Sequence, residues 1–411
     1  MMALMRLFPL VLLLACIHGA PLLLGKFSYP HAAFSALYPR AGNSGYDLLL
    51  TSFGALTSDV STVADVGNLL GDVTKIKPVS FSHALKWPNE ISGVPIRALN
   101  SRYVAIPDGF LVPTKTDGSI QLYNLDAPHP TLSTISSGSG SWFYHRVLWV
   151  DMNKDGTLDA LTCRANKPVI GAARGELVWF TNPPGHSVAT PWHENIIAAG
   201  PDIFFTVTTF KVGTRSYEAI VVAEFFNPKV SVYWTENARQ DWSDKASVRS
   251  LVVDSTAGKP FDVLVADING DHKLDILVTT NSDHNGTVVV YEVPTDFRSG
   301  HYTRHLLADG YAVHSLGLNK GGPGSPYLLP GTTSTGRKPS IFIAGDDSAV
   351  VSLLVPTSPT DPHSWVYTRN DFLTTGTSTV GGLSFADVDG DGHVELFAPS
   401  YDEGHVYVYR L

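Results

Sequence analysis

Short apolar runs separated by polar turns repeat along the chain. DALTCRA from Asp159, DILVTTN from Asp275 and ELFAPSY from Glu395 each come directly after an acidic segment. Runs of this length, rich in β-branched and aromatic residues and bounded by Gly, Pro, Asn and Asp, predict strands. The same strand recurs without the full acidic segment as DLLLTSF from Asp47, FLVPTKT from Phe110, EAIVVAE from Glu218 and SIFIAGD from Ser340. Seven copies result.

The segment after each copy repeats too. A polar turn leads to an aromatic-bearing strand: GSIQLYNL, GELVWFTN, VSVYWTEN, GTVVVYEV, AVVSLLVP and GHVYVYRL, with STVADVGN the weakest match. Next comes a strand such as WHENIIAAG, VRSLVVDS, YTRHLLADG or WVYTRNDF, then an inner strand such as HRVLWVD, FDVLVAD or LSFADVD. Four strands per unit and seven units predict an all-β, seven-bladed β-propeller over residues 21–411 as a single domain. Alternation within the strands predicts sheets with two unlike faces. The last unit stops at its third strand, VYVYRL at 406–411, so the missing outer strand is expected from the mature N-terminus around Gly25-Lys26-Phe27-Ser28-Tyr29. That strand would close the ring and remove an unpaired edge.

The acidic segments share one register. Asp151, Asn153, Asp155 and Asp159 place oxygens at positions 1, 3, 5 and 9, with the backbone carbonyl of Thr157 at position 7. Asp267, Asn269, Asp271 and Asp275 repeat the set with Lys273 at position 7, and Asp387, Asp389, Asp391 and Glu395 repeat it with His393 there. An all-oxygen, flexible set suits a hard cation such as Ca2+. Each loop joins an inner strand to the next strand of its own blade, so about three structural calcium ions are expected in the scaffold rather than in a shared cavity. In the second loop His272 stands where glycine would ease the turn.

These loops resemble the FG-GAP or VCBS repeats of seven-bladed propellers, the family that includes the integrin alpha-subunit head and several secreted lectins. The resemblance implies the propeller fold and calcium at the twelve acidic and amide loop side chains named above. Integrin-type Phe-Gly and Gly-Ala-Pro signatures are not clearly present, so an integrin-like partner is not implied.

Composition narrows the partners. With net charge -9 and no Lys/Arg cluster longer than a pair, neither a nucleic-acid groove nor an anionic-membrane face is expected. The N-terminal MMALMRLFPLVLLLACIHGAP has a charge at Arg6, an apolar run from Leu7 to Cys16 and small residues before Pro21, which predicts a secretory signal peptide over 1–20. A bacterial lipoprotein anchor through Cys16 is the alternative. Only Cys163 then remains, expected as a buried strand thiol, and the mature chain has no disulfide. Asn285-Gly286-Thr287 is the single N-glycosylation sequon. The Gly-rich stretch 317–336 reads as a blade insertion able to cover one mouth of the ring. A monomer is expected, since the ring closes on itself.

A second site is suggested by histidines. His145 precedes Asp151 by six residues, beside Arg146; His314, His83 and His31 are expected at similar places in other units. Imidazoles converging on the central channel could hold a second, borderline metal, or His145 could act as an acid/base with Arg146 binding a carboxylate or developing oxyanion. The Trp-bearing strands LVWFTNPPG and VYWTENA and the His145-Arg146 pair are similar to the propeller part of fungal aldos-2-ulose dehydratases, whose cupin domains are absent here. Two functions are therefore expected: a secreted calcium-stabilised propeller presenting a face to glycans or extracellular partners, or a metal-assisted lyase, dehydratase or isomerase on a sugar-like substrate. The catalytic candidates in the second case are His145, Arg146, His314 and His83.

Overall fold

The computed structural model describes residues 20–411 except 41, 43–44, 54–57, 110–117, 128–130, 138–140, 169, 316, 318–319 and 330–335. After β1 (Leu22–Ser28), blade one is β2 (Ala32–Pro39), β3 (Tyr46–Ser52), β4 (Val60–Val63) and β5 (Val79–Ser82). Blade two is β6 (Ser92–Gly93), β7 (Tyr103–Pro107), β8 (Ile120–Asn124) and β9 (Leu132–Thr134). Blade three is β10 (Phe143–Val150), β11 (Asp159–Asn166), β12 (Arg174–Thr181) and β13 (His193–Ala199). Blade four is β14 (Phe204–Val212), β15 (Arg215–Glu224), β16 (Lys229–Thr235) and β17 (Val248–Asp254). Blade five is β18 (Lys259–Ala266), β19 (Asp275–Asn281), β20 (Gly286–Glu292) and β21 (Thr303–Tyr311). Blade six is β22 (Pro326–Leu328), β23 (Ile341–Ala344), β24 (Val350–Pro356) and β25 (Tyr367–Thr374). Blade seven is β26 (Ser384–Ala386), β27 (Glu395–Ser400) and β28 (His405–Arg410), completed by β1.

All seven sheets are antiparallel and four-stranded. β1 pairs with β28 from Leu22↔Arg410 to Ser28↔His405, so the N-terminal strand closes the ring as expected. Seven clusters of buried apolar side chains hold the blades, one at every seam between neighbours, including the seam of blades seven and one. A seam without such a cluster would mark an open ring; there is none among the described residues.

Three expectations are corrected. The second strands are not two-faced: β11, β19 and β27 are buried along nearly their whole length. Both faces of each blade pack against a neighbour, and exposed positions are most frequent on outer strands such as β13 and β17. In blade two the second strand is β7, YVAIP, whereas FLVPTKT from Phe110 lies outside the described residues. The Gly-rich 317–336 stretch is not an insertion, because it contains the inner strand β22. Its glycines permit close approach: a Cβ on Gly321 would lie 1.9 Å from Asn281 Oδ1.

The signal-peptide expectation falls on residues 1–20, of which 1–19 lie outside the described residues. No helix among the described residues is long and apolar enough to cross a membrane.

Candidate functional site

Within each blade the strands alternate direction. Connections between first and second strands therefore emerge at one end of the ring, and connections between second and third strands, with the blade-to-blade links, emerge at the other. The acidic loops join β10 to β11, β18 to β19 and β26 to β27, so all three occupy one face.

Their backbones match position by position. Position 4 has positive φ in each loop (Lys154 58°, Gly270 80°, Gly390 76°), and so does position 6 (Gly156 93°, His272 67°, Gly392 90°). His272 thus adopts the left-handed turn without glycine's freedom. The position-1 carboxylate accepts from the backbone N–H of position 6 in each: Gly156 to Asp151 at 3.0 Å, His272 to Asp267 at 2.8 Å, Gly392 to Asp387 at 3.0 Å. The position-9 carboxylate accepts from the N–H of position 2, from Met152, Ile268 and Val388. These bonds fix the position-1 and position-9 carboxylates of each loop against the loop's own backbone.

The oxygen set fits a hard cation. In the third loop, Asp387, Asp389 and Glu395 bring ligand atoms within 4.8 Å of one another, the one such group of three acidic, His or Cys side chains among the described residues. The side chains of Lys273 and His393 turn toward Asp271 and Asp391, leaving their backbone carbonyls as candidate donors. Crowding has an electrostatic signature. Burial pushes the Asp159 carboxyl up to about 6 and that of Asp275 up to about 7, with the other loop carboxylates adding to the push. A bound cation would reverse that repulsion.

Three neighbours of the loops escaped the sequence reading. Lys154 Nζ bonds Glu218 at 2.9 Å and bridges the first loop to blade four. Glu292 is the cross-strand partner of Asp275 and lines a cleft of about 240 Å3 with Asp271, Asp275 and His301. Arg410 is the cross-strand partner of Glu395 and lies 3.0 Å from Glu395, Asp389 and Asp391 alike.

The axis is organised differently from the expectation. His145 and Arg146 occupy a bulge in β10, where the register shifts between Tyr144 and Val147. Phe261 and Asp262 occupy the same bulge in β18. Arg146 donates to Glu90 at 2.9 Å, to both oxygens of Asp262 at 2.9 Å and to the Phe205 carbonyl at 3.1 Å, with its guanidinium 4.4 Å from the Phe204 ring centre. One side chain thereby ties blades two, three, four and five. The carboxylates it holds are the protein's own. Burial pushes the Glu90 carboxyl up although Arg146 opposes this.

His145 is 3% exposed and packs edge-on to Phe34 at 5.4 Å and Phe204 at 4.3 Å. Burial and the adjacent Arg146 push its pKa down to about 3, so it is neutral at ordinary pH. The other histidines are not in its register. His83 lies just past the outer strand β5, is exposed, and sits 3.1 Å from Ser80 Oγ. His314 is exposed in the link before β22, and His31 sits in the turn between β1 and β2 against Tyr401. The candidates come from unlike elements, because links between blades differ in length. Cys163 is buried, and burial pushes its thiol well up. Asn285 is exposed in the β19–β20 turn, its Oδ1 accepting from Gly310 N at 2.7 Å.

Comparisons with known proteins add to the fold. No protein-family model matches the chain, and no curated protein matches its sequence. Among solved structures it is similar to one described as the Dos1 propeller, at 8% identity over 95% of each chain with a TM-score of 0.52. A glucose dehydrogenase crystal structure is 12% identical over 80% of this chain and 96% of that one, with a TM-score of 0.42. The PQQ-bound aldose sugar dehydrogenase from Streptomyces coelicolor is 12% identical over 95% and 97%, also at 0.42. At such identities the first likeness speaks for the fold alone, and nothing is built on the other two.

Proposed function

We propose that the chain is a secreted, calcium-stabilised propeller whose face opposite the acidic loops presents a binding surface to glycans or extracellular partners. The observation that carries this is the common backbone of the three loops, with positive φ at positions 4 and 6 and the same carboxylate bonds in each. Unrelated acidic turns would not share it. Metal on one face braces the strands from below and leaves the opposite face to ligands. The leader expected over residues 1–20 and the exposed Asn285 sequon support the secretory route.

The test is elemental analysis of the dialysed mature protein, with and without chelator, and then a melting curve of each. About three calcium ions per chain and a lower Tm after chelation are expected. Absence of calcium, or a Tm that chelation does not move, overturns the reading.

A further inference from the structure

The face opposite the acidic loops carries a patch built from four blade connections. Phe53 comes just after β3, Tyr401 just after β27, Trp87 lies between β5 and β6, and His31 lies between β1 and β2. The Phe53 and Trp87 rings stack 8° from parallel with centres 5.7 Å apart. Tyr401 packs edge-on to Phe53 at 6.4 Å and donates its hydroxyl to the Phe53 carbonyl at 2.6 Å. Phe53, Trp87 and Tyr401 are all half-buried, so the rings hold one another while remaining open to water.

Two features separate this patch from ordinary packing. Trp87 and His31 both have positive φ, 51° and 54°, a conformation unfavourable for any residue with a Cβ and a marked outlier for tryptophan. Strain of this kind persists where the surroundings fix a side chain in place, and here they fix an indole at a surface. Beside the rings lies a polar set: Lys320 Nζ bonds Asp347 at 2.9 Å and Thr379 Oγ1 at 3.4 Å, while Thr379 N–H bonds the exposed Asp402 at 3.0 Å. Tyr401 N–H donates to the Thr379 carbonyl at 2.9 Å and Asp402 follows it directly in the chain, so the rings and the polar set are contiguous.

We propose that this patch is a carbohydrate site for a neutral oligosaccharide, with the apolar C–H face of one pyranose ring on Trp87 and the hydroxyls of a further ring met by Asp402, Lys320 and Thr379. The inference rests on the binding-face reading above and names the ligand class for it. A fixed aromatic surface with adjacent carboxylate, ammonium and hydroxyl groups matches a ring that is apolar on one side and hydroxylated at its edge. Lys320 is already paired with Asp347, and the carboxylate left exposed beside Thr379 is that of Asp402. Uronates and sialic acids are therefore disfavoured, which makes the proposal one of specificity as well as location.

The test is calorimetric and tryptophan-fluorescence titration of the calcium-loaded full chain. The probes are neutral glucan, galactan and mannan oligosaccharides and, as anionic counterparts, oligogalacturonate and sialylated oligosaccharides. The variants are Trp87→Ala, Trp87→Gly and Lys320→Met. Trp87→Gly removes the ring while easing the positive φ, so it keeps the test valid if Trp87→Ala fails to fold; Tm reports folding for each. Binding of at least one neutral oligosaccharide by the parent chain, weakened about tenfold or more in both Trp87 variants, is expected. Neutral binding that survives in Trp87→Gly overturns this site while leaving the binding-face reading in place. Stronger binding of the anionic probes overturns the specificity. No binding of any oligosaccharide overturns both this inference and the glycan part of the reading, and leaves extracellular protein partners.

Discussion

Arg146 carries its charge into a place where water has little access, with 14% of its side chain exposed and 4% of its partner Asp262. Such a pair adds little over an apolar substitute, but breaking it leaves a buried charge without compensation. Arg146→Met should therefore cost about 3–5 kcal/mol in urea unfolding, and the loss should shrink when Asp262→Asn is added. If the single and double variants are equally unstable, the tie across four blades is not what the site contributes. A second residue gives a pH signature. Asp202 is 1% exposed; burial pushes its carboxyl up to about 7, although it accepts from Phe225 N and Phe226 N. A carboxyl whose folded pKa exceeds its unfolded value of about 4 favours the folded state fully below pH 4 and loses that contribution as pH rises through 7. Stability measured at saturating calcium should thus fall from about pH 4 to about pH 7. In Asp202→Asn the part of the slope due to Asp202 should vanish, leaving that of the other carboxyls whose pKa burial raises, among them Glu224, Glu90 and Asp346.

At the scale of the loop, one backbone serves three charge environments. The third loop holds Arg410 within 3.0 Å of three of its carboxylates, the second faces Glu292, and the first has neutral Thr181 at the equivalent end of its blade. A guanidinium among the ligands competes with an incoming cation, since charge count sets calcium affinity in such loops. Arg410→Gln should tighten the weakest calcium step by about tenfold in a calorimetric titration, with the other two unchanged. An unaltered isotherm would show that Arg410 swings away at no cost. His272 tests the turn itself. His272→Gly should stabilise the chain by about 1 kcal/mol, because it relieves a left-handed residue at the position glycine fills in the other two loops.

How much of this was legible depends on what repeats. The loops, the strands after them and the terminal closure could be read because spacing is kept within a blade, where strand pairing fixes it. The links between blades carry no such constraint, so His83 and His314, which lie in them, do not share the register of His145. Blade two misled for a related reason: YVAIP and FLVPTKT are adjacent apolar runs, and only pairing to β8 decides between them. The Arg146–Asp262 tie was nevertheless present in the spacing. Each residue precedes its loop's first aspartate by five positions, and a comparison of the repeats for opposite charges would have found it.

At the scale of the whole ring, the two ends of the chain meet in blade seven. β1 supplies the outer strand of blade seven, and Phe27 and Tyr29 enter the cluster that joins blade seven to blade one. No disulfide assists among the described residues, where Cys163 is a free, buried thiol. Removing residues up to Ser28 would expose the ladder of β28 as an open edge and strip apolar cover from the seam. Such a chain should melt in a broad transition at lower temperature and self-associate in light scattering. Adding a synthetic peptide of the β1 sequence, LLLGKFS, should restore a sharp melt in a concentration-dependent way, because a strand that binds only the folded ring stabilises it by mass action. The Gly25 position makes the control specific: a Cβ there would meet Val73 at 3.3 Å, and its φ of 151° lies where side chains are disfavoured. A peptide with Gly25→Val should rescue poorly. Equal rescue by both peptides would mean that the terminal strand covers the edge without docking in the register seen here, and that the ring is closed by its seven seams alone.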